Sequence, residues 1–272
     1  MDSPKVTFAY FGDEIASSRL RALIPQQQLH KKGIEIGKDV LVYSKHFLTF
    51  DEMSGYGKKI FDICDDHFKR PELEKYYREH AEKADVLTCN SEYMQQRILE
   101  ETGMYATIIP EPYESEEKEP KIGHYLYWFG HKSNIFDIQR LRPTLKQPLK
   151  ILTNLEGFGE WTPAKHDWVM SNPLIVVIPT GKSLAKSENR MVESIRRGRY
   201  VCAEFLPAYK PFGEFFPLGD IPSHIEQALS DPEASLEKIR QAQDFIRDRY
   251  SPETISTKWL EVINGTQYIH RA

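Results

Sequence analysis

The residue types and spacings most able to do chemistry lie in one stretch, Lys186-Ser187-Glu188-Asn189-Arg190-Met191-Val192-Glu193, ahead of Gly198 and the apolar run Tyr200–Ala203. Ser187 or Asn189 is placed to cap a helix there, and a helix N-terminus with its free N–H groups attracts phosphate. Lys186 and Arg190 add positive charge at the same end. Glu193 follows about one turn further in, at a reach suited to the sugar hydroxyl of a phosphate-anchored nucleotide. A diphosphate-linked ligand is the simplest chemistry for this set. An ordinary βαβ crossover with a charged helix would share the spacing.

Two further sets sit in the first half. Gly12 with Ser17, Ser18 and Arg19 makes the first strand-to-helix turn. A glycine there lets a ligand approach the backbone, and Ser17 reads as the helix cap. Arg19 is a cation in an early turn, where the helix dipole disfavours it. Asp65-Asp66-His67 closes another strand. Adjacent carboxylates and an imidazole can orient a hydroxyl or take its proton, with Asp66 and His67 the favoured catalytic pair. Consecutive side chains alternate in direction, so the triplet does not converge on a metal. Capping of the helix at Pro71 is the plain alternative, as it is for Asn90-Ser91-Glu92 before the next helix.

Some apparent motifs fall away. Thr180-Gly181-Lys182-Ser183 resembles the end of a P-loop, but its partner glycine would fall at Val176, inside a strand. His46, His80, His124, His166 and His224 have no spacing that suggests a metal site. The basic clusters 30–32, 140–142 and 196–199 read as solvated helix ends.

These residues need elements to hold them. Strands are expected over Val6–Phe11, Val40–Tyr43, Lys59–Cys64, Asp85–Cys89 and Ala106–Ile109, with helices over Ser17–Lys32, Pro71–Lys83 and Ser91–Glu101. Pro110-Glu111-Pro112 and the acidic stretch to Pro120 break the pattern and read as a linker. The alternation then resumes with strands at Tyr125–Phe129, Lys150–Thr153, Leu174–Ile178 and Tyr200–Ala203, and ends in helices from Ile221, Pro232 and Pro252. Such alternation favours parallel, doubly wound sheets. The expected division is 1–118, 119–250 and a C-terminal helix in 251–272 that packs back on the first domain, with a ligand cleft between the two halves.

Composition bounds the rest. The 272 residues suit two domains, and 40% hydrophobic content with 12% aromatics suffices for buried cores. A net charge of −4 with interspersed signs carries no strong nucleic-acid signal. Cys64, Cys89 and Cys202 lie in or beside apolar runs without metal spacing, which points to reduced buried thiols and a cytoplasmic setting. No run is long enough to span a bilayer and no signal peptide is visible; peripheral membrane contact is left open.

Taken in order, several segments resemble the GT-B-fold glycosyltransferases of the family 4 type. They are Gly12 with 16–21 (Ala-Ser-Ser-Arg-Leu-Arg), 84–92 (Ala-Asp-Val-Leu-Thr-Cys-Asn-Ser-Glu), Ile108-Ile109-Pro110, Tyr127-Trp128-Phe129-Gly130-His131 and the 186–203 stretch. The resemblance implies two Rossmann-like domains and sugar transfer from a nucleotide-diphosphate sugar, UDP- or GDP-linked, to a hydroxyl acceptor on a glycan, a lipid-linked sugar or another molecule. It implies retention, no metal and no cofactor beyond the donor substrate. Glu193 aligns with the second of two family glutamates, the one that holds the ribose. The first would fall at Ala185 and is missing. The family's arginine and lysine after the first strand of the second domain are replaced by His131 and Phe136, so Gly130, His131 and Lys132, with Lys186, Ser187, Asn189 and Arg190, are the expected phosphate contacts. Gly12, Arg19, Asp66 and His67 would border the acceptor. The same departures leave room for a non-catalytic nucleotide- or glycan-binding relative. Glycosylation of a modified DNA base is a third reading, without a basic surface to recommend it.

Overall fold

The computed structural model describes residues 3–13, 15–45, 47–181 and 183–265. It divides into two compact units. One holds the described residues up to Glu114 together with those from Arg249 onward; the other runs from Ser115 to Asp248.

The first unit is built on five parallel strands in the order β1-β2-β3-β4-β5: Val6–Ala9, Val40–Tyr43, Lys58–Ile63, Val86–Cys89 and Ala106–Ile108. β2 and β4 are buried at every position, as parallel strands covered on both faces must be. After β1 come the short α1 (Ala16–Ser18), a π-helical segment Arg19–Leu23 and α2 (Ile24–Lys31), so the expected helix over 17–32 carries a π turn within it. The four-residue α3 (Phe50–Met53) has no counterpart in the sequence reading; a Thr49–Glu52 capping box starts it. α4 (Pro71–Lys83) begins at its proline, and α5 (Glu92–Thr102) is capped by Ser91 and ended by Gly103 at φ 69°.

Strand direction decides where the first crossover goes. The carbonyls of Lys5 and Ala9 serve β2, so the Val6 N–H faces the other edge of β1, where it donates to Glu35 O at 2.8 Å. The chain therefore runs from β1 through α2 to residues 34–37 on one side, then returns to form β2 on the other. The chain thus reverses beside β1, with the 34–37 segment on one side of it and β2 on the other. Val6, Phe8, Val40, Val42, Ile60 and Val86 line one face and pack with Leu29 of α2 and with Ile255, Trp259 and Val262 of the last helix. Tyr43 and Phe61 turn to the opposite face and meet Tyr77 and His80 of α4.

The second unit carries β6 (Tyr125–Phe129), β7 (Leu149–Leu152), β8 (Leu174–Ile178) and β9 (Tyr200–Ala203), all parallel, in the order β7-β6-β8-β9. Its reversal lies between β6 and β8. α6 (Ile135–Leu141) follows β6, α7 (Pro163–Met170) precedes β8 and was not foreseen, and α8 (Asn189–Arg196) joins β8 to β9. α9 (Ile221–Ser230), α10 (Pro232–Tyr250) and α11 (Pro252–Ile263) complete the chain. The unit boundary falls in the last turn of α10, and α11 belongs with the first sheet. Residues 266–272 of the expected C-terminal segment lie outside the described residues.

The cluster at 196–199 is not the solvated helix end expected of it. Arg196 and Arg199 are buried; Arg196 pairs with Glu117, and Arg199 donates to the carbonyls of Met170 at 2.8 Å and Lys121 at 3.1 Å. The linker segment occupies the place where solvent was expected.

Candidate functional site

The switch point of the second sheet gathers most of the expected phosphate contacts. Gly130 ends β6, Thr180 and Gly181 follow β8, and α8 begins eleven residues after β8. Lys186 Nζ donates to Asn134 Oδ1 at 2.7 Å and lies 3.8 Å from Asp137 Oδ2, at the start of α6. Arg190 donates to the carbonyl of Phe129 at 3.4 Å. A Cβ on Gly130 would stand 3.1 Å from the Trp128 ring and 3.5 Å from the Arg190 guanidinium, so the glycine keeps this approach open. A Cβ on Gly181 would meet Asp137 Oδ1 at 2.8 Å, so the turn after β8 packs directly on α6. Lys182 lies outside the described residues.

The start of α8 differs from the sequence reading. Glu188 is the N-cap, with φ −77° and ψ 0°, and no side chain caps the helix; neither Ser187 nor Asn189 does so. A cap of the usual kind needs an extended backbone, and Glu188 is already helical. The first-turn N–H groups thus carry no side-chain cap, beside Lys186 and Arg190. Glu193 lies buried one turn into α8, with Arg197 Nε 4.0 Å away. Ala185, where the resemblance calls for an acid, is buried as well. His131 is exposed and turned to local structure: its Nδ1 accepts from Ser133 N and capping is its visible role. Lys132 is exposed.

In the first unit the corresponding edge holds Gly12, at φ 71°, and the residues after β1, β2 and β3. Ser17 is not the helix cap; Ile15 holds that position, and Ser17 Oγ instead accepts from Lys45 Nζ at 3.1 Å. Ser18 donates to Phe11 O, and Arg19 grips Glu114 through both Nε and Nη2, at 2.7 and 2.9 Å. That bidentate pair explains how an early-turn cation is tolerated.

Asp65, Asp66 and His67 sit beyond the end of β3 and have three different fates. Asp66 is turned into the protein, 3.1 Å from Lys69 Nζ and 3.3 Å from Arg97 Nε. His67 lies against the Tyr77 ring with Nε2 4.0 Å from Asp65, and burial lowers its basicity below the ordinary histidine value. Asp65 is the exposed member and pairs with Lys45. Sequence reasoning passed over Lys45, since a lysine after an apolar strand carries no signal by itself.

It also passed over a pair beneath this edge. Arg21 binds Asp62 through Nε at 2.9 Å and Nη2 at 2.5 Å, both side chains essentially without exposure, and Thr88 donates to the same carboxylate at 2.8 Å. Asp62 inside the otherwise apolar run 60–64 was the available clue. The three cysteines are free and buried, and burial pushes the Cys64 and Cys89 thiols up to about 12. Among the described residues no group of three or more His, Cys, Asp or Glu is placed to hold a metal ion, and no helix is long and apolar enough to cross a membrane.

No protein-family model and no curated protein matches this sequence. Solved structures do. HepE of Anabaena in complex with UDP-glucose superposes with a TM-score of 0.68 at 12% identity, covering 96% of this chain and 100% of that one. A trehalose-6-phosphate synthase gives 0.58 at 8%, covering 96% and 81%. A GtfA/B complex gives 0.54 at 13%, covering 94% and 62%. At such identities the likeness shows the fold: this is an α/β chain of the GT-B architecture, with two parallel sheets and a helical C-terminal segment.

Proposed function

We propose that this chain is a glycosyltransferase that moves a sugar from a nucleoside-diphosphate sugar to an acceptor hydroxyl. The observation that carries the reading is the α8 N-terminus. Without a side-chain cap, it lies at the reversal of the second sheet, with Lys186 reaching across to Asn134 after β6 and Arg190 to the Phe129 carbonyl at the end of β6. That is where an open α/β sheet binds ligands, and the groups present suit a diphosphate. The UDP-glucose complex of HepE, a chain of the same fold, supports a UDP-linked donor.

The chemistry follows from these groups. When the glycosidic bond to the donor breaks, negative charge develops on the departing diphosphate. Fixed N–H dipoles and two cations stabilise that charge most at the moment it forms. Glu193, one turn in, holds the ribose and sets the register of the nucleotide. This arrangement bears the diphosphate charge with protein groups and needs no metal. Retention is part of the proposal; the trehalose-6-phosphate synthase of similar fold is described as a case of glycosyltransfer with retention.

Calorimetric titration with UDP, GDP and ADP, followed by transfer and hydrolysis assays with the matching sugars, tests the reading. One nucleotide should bind, with affinity lost in Glu193→Ala and turnover lost in Lys186→Met. Absence of binding by all three would refute it. Nucleotide binding with no turnover on any donor would support the second reading, a non-catalytic relative. Buried Ala185 in place of the expected acid is the observation behind that reading.

A further inference from the structure

Lys45 is the one described non-glycine residue with a positive φ, at 51°. In that left-handed region Cβ crowds the following carbonyl, so a lysine stays there only when its surroundings compensate. The compensation visible here is at the other end of the side chain. Nζ lies 3.1 Å from Ser17 Oγ and pairs with Asp65 Oδ2. Ser17, Lys45 and Asp65 follow β1, β2 and β3, three neighbouring strands, at the carboxyl edge of the sheet. Burial works against the Lys45 charge, yet the Asp65 carboxylate paired with it carries the net shift upward, so the ammonium persists.

Asp65 meets Lys45 through Oδ2, and His67 Nε2 is 4.0 Å from the same atom. The Asp65 side chain is 44% exposed. Beside it the buried Nδ1 of His67 has no hydrogen-bond partner. Asp66, by contrast, is 6% exposed and committed to Lys69 and Arg97. Phe11 after β1 and Phe47 after β2 are each more than half exposed. The same edge thus presents a fixed carboxylate and aromatic surface.

We propose that Asp65, held by Lys45, accepts a hydrogen bond from a hydroxyl of a pyranoside acceptor, with Lys45 as the positioning residue. The inference rests on the glycosyltransferase reading and names the acceptor contact within it; Asp65 takes the place expected for Asp66.

Octyl β-glucoside, octyl α-mannoside and glucose, titrated by calorimetry and saturation-transfer NMR in parallel with UDP-sugar, test it. At least one should bind the wild-type protein. Asp65→Asn and Lys45→Met should weaken that binding by about tenfold or more, the scale of one charge-assisted hydrogen bond, while leaving UDP-sugar affinity unchanged. Lys45→Arg should recover part of the loss. Lys45→Gly should melt higher than Lys45→Met, because it relieves the backbone, and bind the glycoside no better. Equal glycoside binding by wild type and Asp65→Asn overturns the proposal. So does a wild type that binds UDP-sugar and none of the glycosides. Glycoside binding that depends on Asp65 in a protein that binds no nucleotide sugar would leave this site standing and remove the donor reading. Binding of neither removes both.

Discussion

At the scale of single residues, the proposed donor site depends on charge placed where a ligand's charge would be. Lys186 and Arg190 come from the segment around the start of α8, but Lys186 bonds to Asn134 after β6 and faces Asp137 of α6, and Arg190 bonds to the Phe129 carbonyl at the end of β6, so each cation is tied to a second element. Lys132 is exposed and makes no such tie. The two kinds of cation should therefore behave differently. Lys186→Met is expected to reduce kcat/KM by roughly 10²-fold, the usual effect of losing one group that stabilises developing charge. Lys132→Met should change it by less than about tenfold, with an effect that fades as salt rises. Steady-state kinetics with the donor identified by titration would check both. Equal losses at moderate salt would mean that Lys132 closes over the diphosphate when it binds.

At the scale of elements, buried polar groups tie helices to the first sheet. Arg21, in the π segment after β1, reaches Asp62 on β3, and its guanidinium stands 5.5 Å from the Trp259 ring on α11. Removing one partner of such a pair leaves a charge stranded in the interior. Asp62→Ala should therefore cost about 3–5 kcal/mol in urea unfolding, and Arg21→Met with Asp62→Leu should cost less than Asp62→Ala alone. A second tie responds to pH. His80 of α4 stacks on Tyr76 at 3.8 Å and faces the Tyr43 hydroxyl at 3.4 Å, and burial pulls its imidazole down to about 4. In the unfolded chain a histidine titrates near 6.5, so the unfolded state takes up the proton first. Stability contributed by neutral His80 is present above about pH 6.5 and is lost as pH falls toward about 4. His67, also lowered by burial, acts in the same direction. Thermal melts between pH 7 and pH 4 should show a decline that is shallower in His80→Gln.

At the scale of the whole molecule, the chain order and the units do not coincide. Residues 115–248 form one unit without interruption, whereas the first unit takes its last helix from the far end of the chain. Ile255, Trp259, Val262 and Ile263 of α11 share a buried cluster with β1, β2 and α2, and Trp259 meets Phe8 edge-on at 5.4 Å. Trp259→Ala should cost about 3–5 kcal/mol, as large-to-small changes in a core do. A chain ending at Tyr250 should lose the first unit's near-ultraviolet signal and expose apolar surface to dye. A chain of residues 115–248 should fold and keep its affinity for the nucleotide. Retention of a cooperative first unit without α11 would show that the cluster is dispensable.

Much of this was legible from local pattern. Apolar runs of four to six residues, proline at helix starts and Gly103 at a helix end marked most strands and the long helices, because their causes are local. Short elements such as α3 and α7 escaped, having too few residues to show a period. The site was legible in part. The 186–193 stretch stood out by composition, but the cap at Glu188 depends on backbone angles that residue type does not fix. Asp65, Asp66 and His67 were visible as a triplet, while their division into exposed, paired and ring-packed depends on Lys45, Arg97 and Tyr77 from three other segments. The sequence by itself determined the alternating elements, the buried thiols and the helix after β8 with its flanking cations, since each follows from the chemistry of neighbours in the chain. Only the tertiary structure decided which carboxylate meets solvent, where the second sheet reverses its strand order and which residues of the last helix enter the first core. Those outcomes rest on contacts between residues far apart in sequence, which no local pattern encodes.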